Sequence, residues 1–482
     1  MVSVQIALNR FGLGAKSQEA APTDPRRWLL DQFDRYDPSP VSVAALPRSP
    51  EQVAQFAELR AERKERKDEA DKPDRRMESP APLMQGNALE IAAKKQNPEA
   101  GLYKPLRDSY IAAVSARMTV AGSTRTPFLE RMVSFWSNHF AVSIDKASVI
   151  GLAGTFENEA IRPYVMGRFH EMLLAVERHP AMLLFLDQAQ SVGPNSAISE
   201  IVKRRASGRQ PGLNENLARE IMELHTLGVR SGYSQADVTE LARALTGITV
   251  AGLGRAQRLI GGEPGHTVFA AAMHEPGSRN VFGKKYAQEG EKQPLSILLD
   301  LASHPATAHH IATKIARHFS TDDPPLALVA RLETAFIKSG GDLPSLYRVL
   351  IDSPEVWDAS QPPKFRPPWD WLVAVQRASG VDFPALPTVF TLNQLGQPTW
   401  KPGSPAGWDD IAASWAAPDA LLRRVEFSGR LSQRLGPTDA RKLAMELFPD
   451  NFSETSKQAI ARAESPAQAL ALLFVAPEML RR

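Results

Sequence analysis

Apolar residues recur at steps of three and four along most of this chain. That spacing gathers them on one face of an α-helix. It runs through 107–121, 128–140, 169–176, 217–227, 238–245, 306–319 and 326–337. Alternation at period two, the mark of a half-buried strand, is scarce. The short apolar run 183–186 fits a strand or a buried helical turn, and its length does not decide between them. The 38 prolines fall mostly between periodic segments, where a fixed φ and a missing N–H end helices. The pattern predicts a mainly α fold: one large domain over 1–482, made of packed amphipathic helices joined by long Pro/Gly-rich loops. No repeat and no linker composition divides it.

Three stretches depart from helical periodicity. Residues 61–76 (AERKERKDEADKPDRR) are a dense mixed-charge run, expected to be an exposed helix or a flexible segment. Residues 248–293 are rich in Gly and polar side chains and are expected to form a long loop or hairpin insertion. Residues 361–371 and 395–408 combine Pro, Gly and Trp, as loops pinned by aromatic rings do.

Composition narrows the function classes. Basic residues number 57 and acidic ones 54, without the basic excess of a nucleic-acid binder. The absence of cysteine excludes a disulfide framework, a thiolate metal site and a cysteine nucleophile. No apolar run approaches the roughly 18–20 residues of a membrane span. No basic start followed by an apolar stretch is visible at the N-terminus, so a cytoplasmic location is the expectation. Phosphate-loop, dinucleotide and nucleophile-elbow signatures are missing.

The densest candidate chemistry lies at 214–228 (NENLAREIMELHTLG). Asn214 suits an N-cap and Gly228 a left-handed C-terminal cap. At about 100° per residue, Leu217, Ile221 and Leu224 form an apolar stripe. Asn216, Glu220 and Glu223 project on another face, beside Arg219. Ser234 and Asp237 then have capping-box spacing for a second helix carrying Glu240 and Arg243. An αα-hairpin over 214–247 follows. Two nearby carboxylates, if buried, share a proton, hold a cation or are neutralised by arginine. On a solvated face the same charges amount to a surface ion pair of about 0–1 kcal/mol.

Other candidates are Asn138 and His139 in FLERMVSFWSNHF, and His274 in the Gly-rich insertion. In HPATAHHIATKIARHF (304–319), His310 and Lys314 share a helix face that Arg317 and His318 continue. No tight metal-ligand spacing such as HExxH occurs, and metal and cofactor stay unknown.

Taken in order, several segments resemble the bacterial family called domain of unknown function 1800. They are LNRFGLGA (8–15), FWSNHFAV (135–142), HPAMLLFLD (179–187), NENLAREIMELHTLGV (214–229) and GYSQADVTELARALTG (232–247). Further on come HEPGSRNVFG (274–283), HPATAHHIATKIARHF (304–319) and LGQPTWKPGSPAGWDD (395–410). The resemblance implies a mainly helical protein and carries no activity. It also implies genomic neighbours of a sulfatase-like family, many with an exported look, and hence a partner or accessory role.

Two functions compete. In the first, a polar site centred on 214–247 makes this a metal-assisted or acid/base hydrolytic enzyme. Glu220 or Glu223 is then base or ligand, Arg219 or Arg243 stabilises anionic charge, and His139 shuttles protons. Asn216, Asn138 and His274 contact substrate. In the second, the same charges form a structural network in a non-catalytic scaffold or an accessory partner of a sulfatase-like protein.

Overall fold

A computed structural model describes residues 4–70, 103–205, 212–253, 260–436, 438–449 and 451–482. The fold is mainly α, as the periodicity predicts. Six helices build the site and its supports: α1 (Lys104–Ser123), α2 (Pro127–His139), α3 (Phe169–Glu177), α4 (Asn216–Glu220), α5 (Gln235–Leu245) and α6 (Pro305–Phe319). The apolar run 183–186 proves helical over its first three residues, in Pro180–Phe185. Within the mixed-charge run, residues 61–68 form the exposed end of the helix Ser49–Ala70, and 71–76 lie outside the described residues.

Two His-Pro dipeptides start helices by the same device. His179 and His304 precede prolines at the first helical position, and each imidazole Nδ1 accepts the N–H two residues on, at 3.1 Å. One helix-start N–H is thereby satisfied by an imidazole in place of the usual Ser or Asp.

The Gly-rich insertion folds as two small antiparallel hairpins. The strand β1 (Ile248–Val250) pairs with β2 (Thr267–Phe269), and β3 (Arg279–Val281) with β4 (Lys284–Tyr286). β3 packs beside α5 and β1 against the helix Pro180–Phe185, and neither hairpin lines the cleft described below.

Apolar side chains collect in two large buried clusters and two small ones among the described residues. The larger includes Phe128, Trp136, Phe140, Phe169, Leu217, Leu241 and Ile315. The second gathers Phe365, Trp371, Leu443, Leu473 and Phe474 from the C-terminal helices, with Leu13 and Met118. Arginines stitch the seam between them. Arg131 of α2 donates to Asp370 of the helix Pro368–Ser379 at 2.7 Å, and its Nε and Nη2 both reach the Gly12 carbonyl at 2.8 and 2.6 Å. Arg377 donates to the Gly14 carbonyl at 3.0 Å, and Arg366 to the Asn9 side chain at 2.5 Å. The segment LNRFGLGA is thus a strip of acceptors for buried guanidiniums.

Charge on the seam is not balanced. Arg131, Arg366, Arg424 and Arg482 are all buried around Asp370. Burial alone would raise the Asp370 carboxyl, but Arg131 and Arg482 hold it well below the ordinary carboxylate range. Removing one partner of a buried pair costs about 3–5 kcal/mol, because the other charge is left uncompensated. Asp370→Asn is therefore expected to lose that much stability at neutral pH in urea unfolding. A carboxyl with a depressed folded pKa contributes fully above its unfolded value near about 3.9 and loses that contribution as pH falls. The gap between the two proteins should narrow below about pH 4; a gap equal at pH 3 and pH 7 would contradict the ion pair as its source.

Candidate functional site

Where the two clusters meet, the protein is cleft. The cavity holds about 420 Å³ and takes its walls from α2, α6 and the Pro/Trp loop 397–411. Phe135 and Trp400 bring one side, and Trp369 and Trp408 the other. Concave sites lined by aromatic rings with a few convergent polar groups are the usual form of small-molecule pockets.

Helical spacing explains the wall residues. On α2, Arg131, Phe135 and His139 repeat every four residues, as do Ser134 and Asn138, so they lie along neighbouring rows. On α6, Lys314 and His318 are four apart and Arg317 adjoins them. The segments FWSNHFAV, HPATAHHIATKIARHF and LGQPTWKPGSPAGWDD, distant in sequence, converge here.

The roof is fastened to α2 by one carboxamide. Asn138 Nδ2 donates to the Trp408 carbonyl at 2.9 Å, and its Oδ1 accepts the Trp408 N–H at 2.7 Å. Gly407 crosses over this residue at φ +81°, where a Cβ would stand 2.3 Å from the Asn138 carbonyl oxygen. Only glycine tolerates both the backbone angle and the approach. Further along, Ile144 N–H donates to the Trp400 carbonyl at 2.9 Å, and Trp400 Nε1 donates to Glu157 at 3.1 Å. Arg117 lies over the Trp369 ring, 4.2 Å from its centroid, with Nε held by Glu157 at 3.0 Å.

Most charges on the walls are paired. Arg131 has Asp370, Arg117 has Glu157, and Arg317 Nε donates to the Asp322 carbonyl at 3.0 Å. His318 donates from Nδ1 to Asp410 at 2.8 Å, while Lys364 and Arg482 approach the same carboxylate at 3.2 and 3.5 Å. Burial lowers His318 to about 4 against the opposing pull of Asp410, so the ring is neutral at pH 7. Asp410, which burial would raise, is held far below the carboxylate range by His318, Lys364 and Arg482. Lys314 differs. Among the described residues its ammonium has no hydrogen bond and no ion pair. Burial lowers it to about 8; Asp410 opposes that shift and Arg317 adds to it.

His139 backs the cleft. It is buried, and burial first, then Lys314, His310 and His225, push it well below the ordinary histidine range. Neutral, it donates from Nε2 to the His225 carbonyl at 3.2 Å, which leaves Nδ1 a buried acceptor without a protein partner. His310 likewise reaches the Leu224 carbonyl at 3.1 Å and is lowered by burial to about 4.

The sequence candidates therefore divide among several places. Asn138 and His139 line the cleft; Glu220, Glu223, Arg219, Asn216, Arg243 and His274 do not. Asn216 is exposed, and its N–H donates to the Asn214 side chain at 2.9 Å. Arg219 is 3.5 Å from Glu223 and donates to Gln235 of α5 at 2.8 Å. Glu220 is half-buried and raised, by burial first, with His225 opposing and Glu223 adding. Arg243 is bound to Glu240, which also faces Arg279 at 3.6 Å. His274 donates to the Thr246 carbonyl at 2.8 Å and is lowered by burial; it ties the insertion to the end of α5. The Ser234–Asp237 capping box forms as spaced.

One expectation about local structure is corrected. The segment 214–228 is not a continuous α-helix: α4 ends at Glu220 and a π turn, Ile221–His225, follows. The extra residue of that turn swings His225 into the core, where Nδ1 lies 2.7 Å from Glu177 at the end of α3. His225 Nε2 and Glu177 Oε2 are buried without partners. π turns concentrate at functional positions because they cost backbone stability. Among the described residues, no group of three or more His, Asp or Glu is placed to hold a metal ion, and no helix is long and apolar enough to cross a membrane.

A half-buried ammonium without a partner destabilises the fold in its charged form. For a base with a lowered folded pKa, that penalty is complete below about pH 8 and fades as pH rises towards about 10.5. Lys314→Met is expected to raise stability by about 1–3 kcal/mol at pH 7, with a smaller gain at pH 9. Destabilisation of that variant in chemical unfolding would reveal a stabilising role for the ammonium.

No curated protein and no solved structure matches this chain. A family model described as "Protein of unknown function (DUF1800)" matches residues 6–481. Its span takes in α2, α6 and the 397–411 roof together, and the chain belongs to that family.

Proposed function

We propose that the cleft is the active site of an acid–base enzyme acting on a small anionic substrate, with hydrolysis within its chemical reach. The observation that carries this is the Lys314 ammonium, which lines the cleft with three tryptophans and has no hydrogen bond or ion pair among the described residues. Perturbed charges in clefts cluster at functional sites, although structural networks perturb them too. Arg317, whose Nη groups have no acceptor among the described residues, holds the anionic group. Lys314 gives or takes a proton near neutrality. His139, with its unpartnered Nδ1, is a second proton acceptor at the back wall. The 214–247 pair supports the cleft from behind, because its His225 and Leu224 carbonyls orient His139 and His310. Glu220, raised by burial with His225 opposing, adjoins this histidine layer.

The tryptophans report binding directly. Titration with inorganic phosphate or small carboxylates is expected to change intrinsic fluorescence saturably. The change should weaken as pH rises through about 8, where Lys314 loses its charge while Asp410, His310 and His139 do not gain any. Lys314→Gln should abolish it, and Glu223→Gln, outside the cleft, should keep it. A response unchanged in Lys314→Gln would move the anion site elsewhere.

A second reading, an accessory partner of a sulfatase-like protein, draws on one surface feature. Leu386 and Phe390 on the helix Ala385–Gln394, and Leu422 and Val425 on Pro418–Arg434, are exposed. The two helices are joined by Arg423 donating to the Gln394 carbonyl at 2.8 Å. Scattered apolar side chains are ordinary on a surface, but grouped ones mark contact sites. Co-expression with the sulfatase-like neighbour is expected to give a complex that Phe390→Asp weakens at least tenfold. Co-elution untouched by that substitution would rule this face out.

A further inference from the structure

We propose that Lys314 forms an imine with an aldehyde or ketone substrate that carries an anionic group, Arg317 binding the anion and the Trp369, Trp400 and Trp408 rings enclosing the remainder. This rests on the anion-binding reading of the cleft and names the substrate class within it. The geometry separates Lys314 from every other cation on the walls. Arg117 and Arg131 are committed to carboxylates, and Arg317 is anchored through Nε. Among the described residues, the lysine is the one of these cations with no hydrogen bond or ion pair to hold it in place.

A structural lysine would be paired, and a simple anion site would gain more from another arginine, which offers fixed, bidentate geometry. A lysine is the better choice where the amine itself reacts. Desolvation and a cationic neighbour are the two means by which folds activate lysine nucleophiles; burial dominates at Lys314, Asp410 opposes it and Arg317 adds to it. At pH 7 about one such lysine in ten is neutral, against roughly one in a few thousand for an ordinary side chain. The lone pair of that fraction is available for attack.

The step balances without an oxidant. The amine nitrogen adds to the carbonyl carbon, and the C=O π pair moves to oxygen, which takes a proton. The nitrogen gives up a proton to water, leaving a carbinolamine. Protonation of its hydroxyl lets water depart as the nitrogen lone pair forms C=N. Amine and carbonyl give imine and water. The protonated imine then withdraws electrons from the neighbouring carbon.

The test is reductive trapping on the full chain. Pyridoxal 5′-phosphate serves as an aldehyde bearing a phosphate and pyruvate as a ketone bearing a carboxylate, each with sodium cyanoborohydride at pH 7. The adducts are mapped by peptide mass spectrometry. One arm or both should label Lys314 at least tenfold faster than exposed lysines such as Lys104 and Lys457, and the labelled arm identifies the anionic group. Inorganic phosphate should slow the labelling. Lys314→Arg should lose the cleft adduct while keeping the phosphate-dependent fluorescence change, which shows that the cleft is intact. Labelling spread over surface lysines with Lys314 unmodified in both arms, in protein that still binds phosphate, would overturn the imine and leave the anion site standing. Absence of phosphate binding in the unsubstituted protein, with Lys314 unlabelled, would overturn both.

Discussion

The architecture depends on the ion pair between Arg131 and Asp370. It joins a helix of the larger apolar cluster to a helix of the smaller one, at 2.7 Å and out of water. Arg131 also takes the Gly12 carbonyl with two of its nitrogens. One guanidinium therefore fixes the N-terminal segment, α2 and the Pro368–Ser379 helix relative to one another. Apolar packing alone would let two such clusters slide, since the hydrophobic effect has no direction. Directional, desolvated hydrogen bonds remove that freedom, although they add little net stability. The cleft lies at this seam, between rings that belong to the two clusters and charged side chains that belong to neither.

The cleft inherits its properties from this arrangement. Its paired charges are structural, and its roof is held by the backbone of Trp408 against Asn138. Among the described residues, the polar groups left without a partner on its walls include the Lys314 amine, part of the Arg317 guanidinium, one nitrogen of His139, the Trp369 indole N–H and the Thr399 hydroxyl. A rigid shell around few unsatisfied groups is what preorganised sites require, because reorganisation at the moment of reaction is avoided.

Local features were legible in the sequence wherever short-range physics decides them. The capping box at Ser234, the proline-led start of α6 and the helical spacing of the wall residues all follow from neighbours a few positions apart. The shared face of His310 and Lys314 was readable too. Its counterpart was not, because no periodicity tells which helix faces which. Glu220, Glu223 and Arg219 drew attention through their density on one helix, yet Arg219 engages Glu215, Glu223 and Gln235, near the surface. Lys314 is inconspicuous among the chain's many lysines and arginines; its distinction is the absence of a partner, a property of three dimensions only. Asn138 was singled out for substrate contact, and its carboxamide proves to be occupied by the Trp408 backbone. The Glu177–His225 pair escaped because a π turn, with no sequence signature of its own, turns His225 inward.

That π turn also makes the chain length of one short segment meaningful. A π turn is an α-helix with one residue too many. Shortening Ile221–His225 by a single residue would let the helix run on as ordinary α and would repair its backbone hydrogen bonds. The same repair would rotate everything after it by about 100°. His225 would leave Glu177, and the carbonyls that now meet His139 and His310 would turn away. Single-residue deletions, usually tolerated in loops and harmful in helices, would here improve the helix and dismantle the back wall. The awkward turn is thus a length constraint written into the backbone, and relatives that keep the cleft must keep the count.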